Sequence, residues 1–295
     1  MTRTYRVLHR TSYEYGATVT DGYSVACLLP RDTAWQRVLS ADVRHDPPAS
    51  AVDELLDVFG NRQHRFGLHE PHDSLVVEAD STVEVDARPV PGDDTSWEQT
   101  VARCEAARDE LAIEVGIVRS SSMLIDLAAV GPALAPLTES IFRPGRSIVD
   151  ALTALCHEIH RTYEFDPHFS NVSTPLADVI AERRGVCQDF AHLGVACARL
   201  AGLAARYVSG YIETVPPPGA DKLVGADASH AWCSVWAPTA GWIDFDPTNG
   251  HLPPNDHVTI GWGRDYADVI PVRGVMIGPA TTQTLDVSVD VARVA

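Results

Sequence analysis

The chain has 295 residues, 45% of them hydrophobic, with a formal net charge of -17 and a pI near 5.0. That length and apolar content suffice for one large or two ordinary cores. So acidic a chain, with no run of Lys and Arg to offset it locally, makes nucleic acid and anionic membranes poor partners. The segment Met1 to Val7 lacks an apolar leader core, and the Ala-rich stretch 191–205 is interrupted by His192 and Arg199, so a cytoplasmic protein is expected. Six cysteines, Cys27, Cys104, Cys156, Cys187, Cys197 and Cys233, are scattered without a C-x-x-C pair, which favours reduced thiols.

From Tyr5 to about Asp86 apolar and polar residues alternate in short bursts, as in Tyr5-Arg6-Val7-Leu8-His9 and Thr82-Val83-Glu84-Val85-Asp86, with turn residues such as Phe59-Gly60-Asn61 between them. This predicts an antiparallel β domain over residues 1–90. The cluster Pro89-Val90-Pro91-Gly92-Asp93 ends it, and helical spacing follows from Trp97 to Val115 within a helical connector over residues 91–139. A core over residues 140–275 begins with a helix started by Ser147, whose stripe is Ile148, Leu152, Leu155 and Ile159. A second helix starts at Thr174 with Pro175 at its first position and stops at Gly185. A third, carrying Cys187, Phe190, Leu193, Val195, Ala196 and Leu200, stops near Gly202. Strands are expected at 206–213, 230–236 and 242–246, with a surface loop at Pro216-Pro217-Pro218-Gly219. The alternation Leu285, Val287, Val289, Val291 makes residues 276–295 a strand that packs back on the protein, pairing with the β domain beside the cleft. The expected class is α+β.

Cys187 follows a glycine at the start of an apolar helix, where the positive end of the macrodipole favours a thiolate. Attack on an amide carbonyl also needs a proton donor for the departing amine and a group that orients it. His230 and Asp246 supply these if a hairpin centred on Pro238 sets them directly opposite each other, on one face with Trp232, Ser234, Trp242 and Asp244, against which the Cys187 helix packs. Each residue also has a plain structural reading: a buried thiol, a core histidine, a turn cap before Pro247. The residues alone leave both open. Cys156, His157 and His160 share a helix, but their spacing fits no zinc motif, so no metal and no cofactor is expected.

Three blocks, Gly185-Val186-Cys187-Gln188-Asp189-Phe190-Ala191-His192, Ala226-Asp227-Ala228-Ser229-His230-Ala231-Trp232 and Gly241-Trp242-Ile243-Asp244-Phe245-Asp246-Pro247-Thr248-Asn249, resemble the core of the transglutaminase-like superfamily. The β-rich first part resembles the domain that precedes this core in bacterial members. The resemblance implies a papain-like core with Cys187 as nucleophile, His230 as general base and acid, Asp246 as its orienting partner, and a thioester intermediate. Animal transglutaminases place an oxyanion-holding tryptophan upstream of the nucleophile; here the upstream tryptophans are only Trp35 and Trp97, so Tyr163 or Gln188 is the substitute to consider. Asp189 and Trp232 are further pocket candidates, Trp242 a second wall, and His192 a packing residue on the helix face. No Asp-rich loop with calcium spacing is present. Hydrolysis of a peptide, protein or small amide is therefore expected ahead of protein crosslinking, with a non-catalytic peptide-binding module as the contrasting class.

Overall fold

The computed structural model describes residues 1–89, 92–213 and 229–294. Six strands come first: β1 (Arg3–Val19), β2 (Asp21–Ala26), β3 (Gln36–Asp46), β4 (Ala51–Leu56), β5 (Arg62–Leu68) and β6 (His72–Val85). Helices α1 (Trp97–Glu105), α2 (Asp109–Gly116), α3 (Leu127–Ile141) and α4 (Ile148–Thr162) follow, then a two-residue strand β7 (Glu164–Phe165), α5 (Leu176–Glu182), its partner β8 (Arg184–Gly185) and α6 (Cys187–Leu200). The chain closes with β9 (Ala205–Ile212), β10 (Ser229–Ala237), β11 (Gly241–Phe245), β12 (His257–Gly263), β13 (Val272–Ile277) and β14 (Gln283–Arg293). Every four-stranded sheet is antiparallel, and the class is α+β as expected.

Two sheets form the first lobe, in the orders β14-β1-β6-β3 and β13-β2-β5-β4. Their alternation is that of one-sided strands: on β6, Leu75, Val77, Ala79, Val83 and Val85 are buried while their neighbours are not. Leu28, Leu29, Val43, Phe66, Leu68, Leu75 and Val77 fill the space between the sheets. A second cluster, Tyr5, Val7, Val83, Val85, Val289 and Val291 with Tyr211, Val258 and Ile260, binds this lobe to β9 and β12. Both closing strands of the lobe, β13 and β14, therefore come from the far end of the described chain.

The third sheet, in the order β11-β10-β9-β12, carries α3 to α6 on one face. α4 starts at the cap Ser147, whose hydroxyl accepts from the Asp150 amide at 3.1 Å, and buries the stripe Ile148, Leu152, Leu155 and Ile159. α6 is buried over nearly its whole length, and Gly194 lets it lie close: a Cβ there would meet Cys233 Sγ at 2.8 Å. Ala231, Cys233, Val235, Ile243 and Phe245 form the sheet side of this core.

Four elements differ from the sequence reading. The helix expected from Trp97 to Val115 is two helices, because the chain turns at Asp109, whose φ is +54°. α3 was expected only as an unplaced part of the helical connector over residues 91–139; Pro132 and Pro136 lie inside it, and two prolines disguise a helix. β12 and β13 were not foreseen. The expected loop at 216–219 lies outside the described residues.

Candidate active site

The Cys187 helix begins in a tightly held loop. Asp189 Oδ2 accepts from the Val186 amide at 2.9 Å and from the Ser170 hydroxyl, and a Cβ on Gly185 would meet that carboxylate oxygen at 2.6 Å. Asp189 is 2% exposed, and burial pushes its carboxyl up against those hydrogen bonds. Its role is to fix the bend that delivers Cys187, the first residue of α6. The first helical hydrogen bond runs from the Phe190 amide to Val186 O at 3.0 Å. The amides of residues 187–189 thus have no acceptor within the helix, which is the usual source of an oxyanion cradle. Of the six free cysteines, Cys187 alone is not buried.

His230, the second residue of β10, is hydrogen-bonded through Nε2 to Asp246 Oδ2 at 2.7 Å and stands beside Cys187, which favours its charged form. With Nε2 committed to Asp246, Nδ1 is the nitrogen left for the thiol. Asp246 is wholly buried and heavily hydrogen-bonded: its Oδ1 accepts from the amides of Thr248 at 2.9 Å and Asn249 at 3.2 Å, and its Oδ2 from Asn249 Nδ2 at 2.7 Å. A second imidazole completes the set. His257 on β12, fully buried, sends Nε2 to Asp246 Oδ2 at 3.0 Å and Nδ1 to Asp256 Oδ1 at 2.6 Å.

The hairpin register differs from the expected one by two residues. The observed pairs are Ala237↔Gly241, Trp236↔Trp242 and Ser234↔Asp244, so the turn is centred on Thr239 rather than Pro238. Asp93 sets it, its Oδ2 accepting from the amides of Thr239 at 3.2 Å and Ala240 at 3.3 Å. A two-residue slip preserves the face, so His230 and Asp246 still meet, as diagonal rather than opposed neighbours. The expectation for the helix is corrected too. The body of α6 lies on the reverse face, against Ala231, Cys233 and Val235, and only its tip reaches His230.

Trp232 buttresses the pair: its ring stacks on His230 at 6.2 Å, meets His257 edge-on at 5.0 Å, and donates Nε1 to Asp244 Oδ2 at 3.0 Å. Gly210 makes room for it, since a Cβ there would lie 2.7 Å from that ring and 2.0 Å from Val258 O. Trp242 is elsewhere, stacked on Arg206 and bonded to Glu114 at 2.6 Å. Tyr163 stands edge-on against Phe190 at 6.0 Å, and burial pushes its phenol up to about 12. Gln188 reaches Val172 O at 3.5 Å. His192 accepts the Tyr266 amide at Nε2, and burial pulls it down to about 4. Cys156 and His160 instead clamp the Asp246 turn, donating to Asp246 O and Thr248 O, each at 2.8 Å.

Two opposing effects act on His230. Burial disfavours its charged form, but the hydrogen bond it donates to Asp246 and the nearby Cys187 outweigh that and raise it to about 10. Asp246 shows the reverse: burial would raise it, and His230 and His257 hold it well below the carboxylate range. His230, Asp246 and His257 place their ligand atoms within 4.8 Å of one another, and that donor set suits Zn²⁺. Both imidazoles are spent on Asp246, so a metal there would displace the very pairing that holds the thiol's base.

Residues 5–84 match the family model for the bacterial transglutaminase-like N-terminal region, and residues 135–247 match that for the transglutaminase-like superfamily. An uncharacterized protein of Mycobacterium tuberculosis is 39% identical, over 98% of this chain and 93% of its own length. A crystal structure of a candidate cysteine protease from Cytophaga hutchinsonii superposes with a TM-score of 0.74 at 21% identity, covering 100% of this chain and 92% of that one. A protein-glutamine gamma-glutamyltransferase of Pseudomonas aeruginosa is 39% identical over 67 residues, 22% of this chain and 10% of that protein. The chain thus belongs to the transglutaminase-like superfamily, with the bacterial N-terminal region preceding the core.

Proposed function

We propose that this protein is a cysteine-dependent acyl-transfer enzyme that cleaves amide or peptide bonds through a thioester, with water as the usual acceptor. The observation that carries this reading is that His230, hydrogen-bonded to the buried carboxylate of Asp246, stands beside Cys187 at the tip of α6. In it the Cys187 thiolate attacks the carbonyl carbon, and the oxyanion forms against the free amides at the α6 tip. The tetrahedral adduct collapses as the His230 imidazolium gives its proton to the departing amine. His230, now neutral, takes a proton from water, whose oxygen attacks the thioester; the acid leaves and Cys187 returns to the thiolate beside the His230 imidazolium. Asp246 keeps the imidazole oriented and charged when needed. Six free thiols, five of them buried, fit a reducing compartment, and a peptide, protein or small amide fits the substrate role.

The test is intact-mass measurement after brief iodoacetamide treatment, comparing the wild type with Cys187→Ala and His230→Ala from pH 5 to 9. Rapid single labelling at Cys187 that slows without His230 supports the reading. Slow labelling spread over several cysteines and indifferent to His230 overturns it in favour of a binding module. The Pseudomonas relative gives a reason to test transamidation alongside, by following incorporation of a dansylated alkylamine into a glutamine peptide; amine incorporation outpacing hydrolysis would make crosslinking the reaction.

A further inference from the structure

A cavity of about 340 Å³ lies between the β lobe, α2 and the face of the third sheet that carries His230. Trp35, Arg88, Arg206, Trp242, Asp244 and Trp262 line it. Arg206 is the anomaly. It is 6% exposed, its guanidinium carbon lies 3.6 Å from the Trp262 ring and 3.9 Å from the Trp242 ring, and its enclosed Nε has no acceptor among the described residues. Asp244 and Glu114 act on it only through space, and burial pulls it down to about 9, so it remains a cation at neutral pH. Arg88 donates to Asp244, and its own buried Nε also has no acceptor among the described residues.

A ladder of stacked arginines and indoles could serve only to join the two lobes. Arg31 shows what that role looks like: its Nε is likewise without an acceptor among the described residues, but it stacks on the other partner, Trp262, at 3.4 Å and donates Nη1 to Phe59 O at 2.9 Å and Asn61 Oδ1 at 2.8 Å. Arg206 stacks in the same way but donates to nothing described, inside a space of ligand size. A desolvated guanidinium without hydrogen bonds is costly, whereas a carboxylate would satisfy it bidentately. Charge agrees with this: two arginines line the cavity against Asp244 and Glu114, and Asp244 is already bonded by Arg88 and Trp232.

We propose that this cavity binds a carboxylate borne on an apolar body, the guanidinium of Arg206 receiving the carboxylate with Arg88 beside it and the indoles of Trp35, Trp242 and Trp262 holding the body. The site is separate from the thiol. Arg206 pairs with Ser234 and Gly210 with His230, so the cavity lies four strand positions, about 13 Å, from the catalytic imidazole. The carboxylate could be a peptide's C-terminus or an acidic side chain, and the probes distinguish these.

The experiment is titration by tryptophan fluorescence and calorimetry at fixed ionic strength. The probes are N-acetyl-L-phenylalanine, its carboxamide, and N-acetyl-L-isoglutamine, whose carboxylate is on the side chain. At least one acid should saturate, and the carboxamide should bind at least about tenfold more weakly, the value of a charged hydrogen bond. Binding should weaken by a similar factor in Arg206→Gln. Glu114→Gln, which removes a competing negative charge while leaving an acceptor for Trp242, should tighten it. Cys187→Ala should bind as the wild type does, so failure of the thiol reading would leave this result untouched. Equal binding of acid and carboxamide, or no saturation by either acid in wild type and Glu114→Gln, overturns the proposal. Should Arg206→Gln not fold, those two comparisons still decide.

Discussion

His257 Nε2 and His230 Nε2 share one oxygen, Asp246 Oδ2, at 3.0 and 2.7 Å. The carboxylate that orients His230 is thus itself oriented by a second imidazole, which is held from behind by Asp256. Removing one partner of a buried charged network leaves the others uncompensated and costs about 3–5 kcal/mol. His257→Ala should therefore lower unfolding free energy by that order, measured by urea denaturation. Iodoacetamide labelling of Cys187 should slow in the same variant under conditions where it is fully folded. Unchanged stability and unchanged labelling would show that Asp246 does not depend on His257.

Asp246→Asn tests the other arm. Asparagine keeps the shape but loses the charge and presents an ambiguous donor, and such a change at the orienting acid of a triad lowers kcat about 10⁴-fold. By NMR, the His230 midpoint, raised to about 10 in the wild type, should fall in this variant, because burial then acts against the cation with less to oppose it.

The pH dependence of stability is shaped by histidines whose midpoints folding moves, His9, His192 and the half-buried His45 downwards and His230 upwards. His9 and His192 are pulled down to about 4 by burial, so the unfolded chain takes up protons before the native one does. Their contribution is complete above about pH 6.5 and is lost as pH falls from there towards 4, each with a slope of about 1.4 kcal/mol per pH unit. His230, raised to about 10, works in the opposite sense: its contribution is present below 6.5 and fades as pH rises through 10. Denaturant midpoints measured from pH 4 to 10 should thus decline at both ends. His9→Gln should flatten the acid limb.

Gly210→Ala should be among the most damaging small substitutions. The new Cβ would meet the backbone oxygen of Val258 at 2.0 Å and the Trp232 ring at 2.7 Å, and a backbone atom has little freedom to move. A loss at or above the upper end of the usual 1–3 kcal/mol overpacking range is expected, about 3 kcal/mol. Thermal denaturation beside Gly92→Ala, a position with nothing within 4 Å, supplies the control.

The sequence revealed most where periodicity and short motifs coincide. The α4 stripe, the cap Ser147 and the alternation of β1, β6 and β14 are local patterns, and each was legible. The face shared by His230 and Asp246 was legible because strand parity survives a two-residue error, although the hairpin centre did not: it is set by Asp93, far away in sequence. His257 was missed for a related reason. Nothing near it marks a strand ending at an active site, and its partner Asp246 is recruited through the sheet order β11-β10-β9-β12, which no local pattern encodes. The roles of Cys156 and His160 in holding the Asp246 turn were likewise hidden, since four-residue spacing on a helix shows a shared face but not what that face meets.

The pairing of β14 with β1, tied off by the Val294 amide on Thr4 O at 2.8 Å, bears on the order in which the molecule assembles. During vectorial synthesis the first strands emerge with two raw sheet edges, along β1 and β2, that stay uncovered until residues 272–293 have left the ribosome. Exposed strand edges invite pairing with other chains. The nascent protein is therefore most prone to aggregate not at its start but throughout elongation, and a holdase that shields β1 would raise the yield of folded molecules. The thiol site, drawn from residues 187–257, can close before the lobe that contains the first residue is finished.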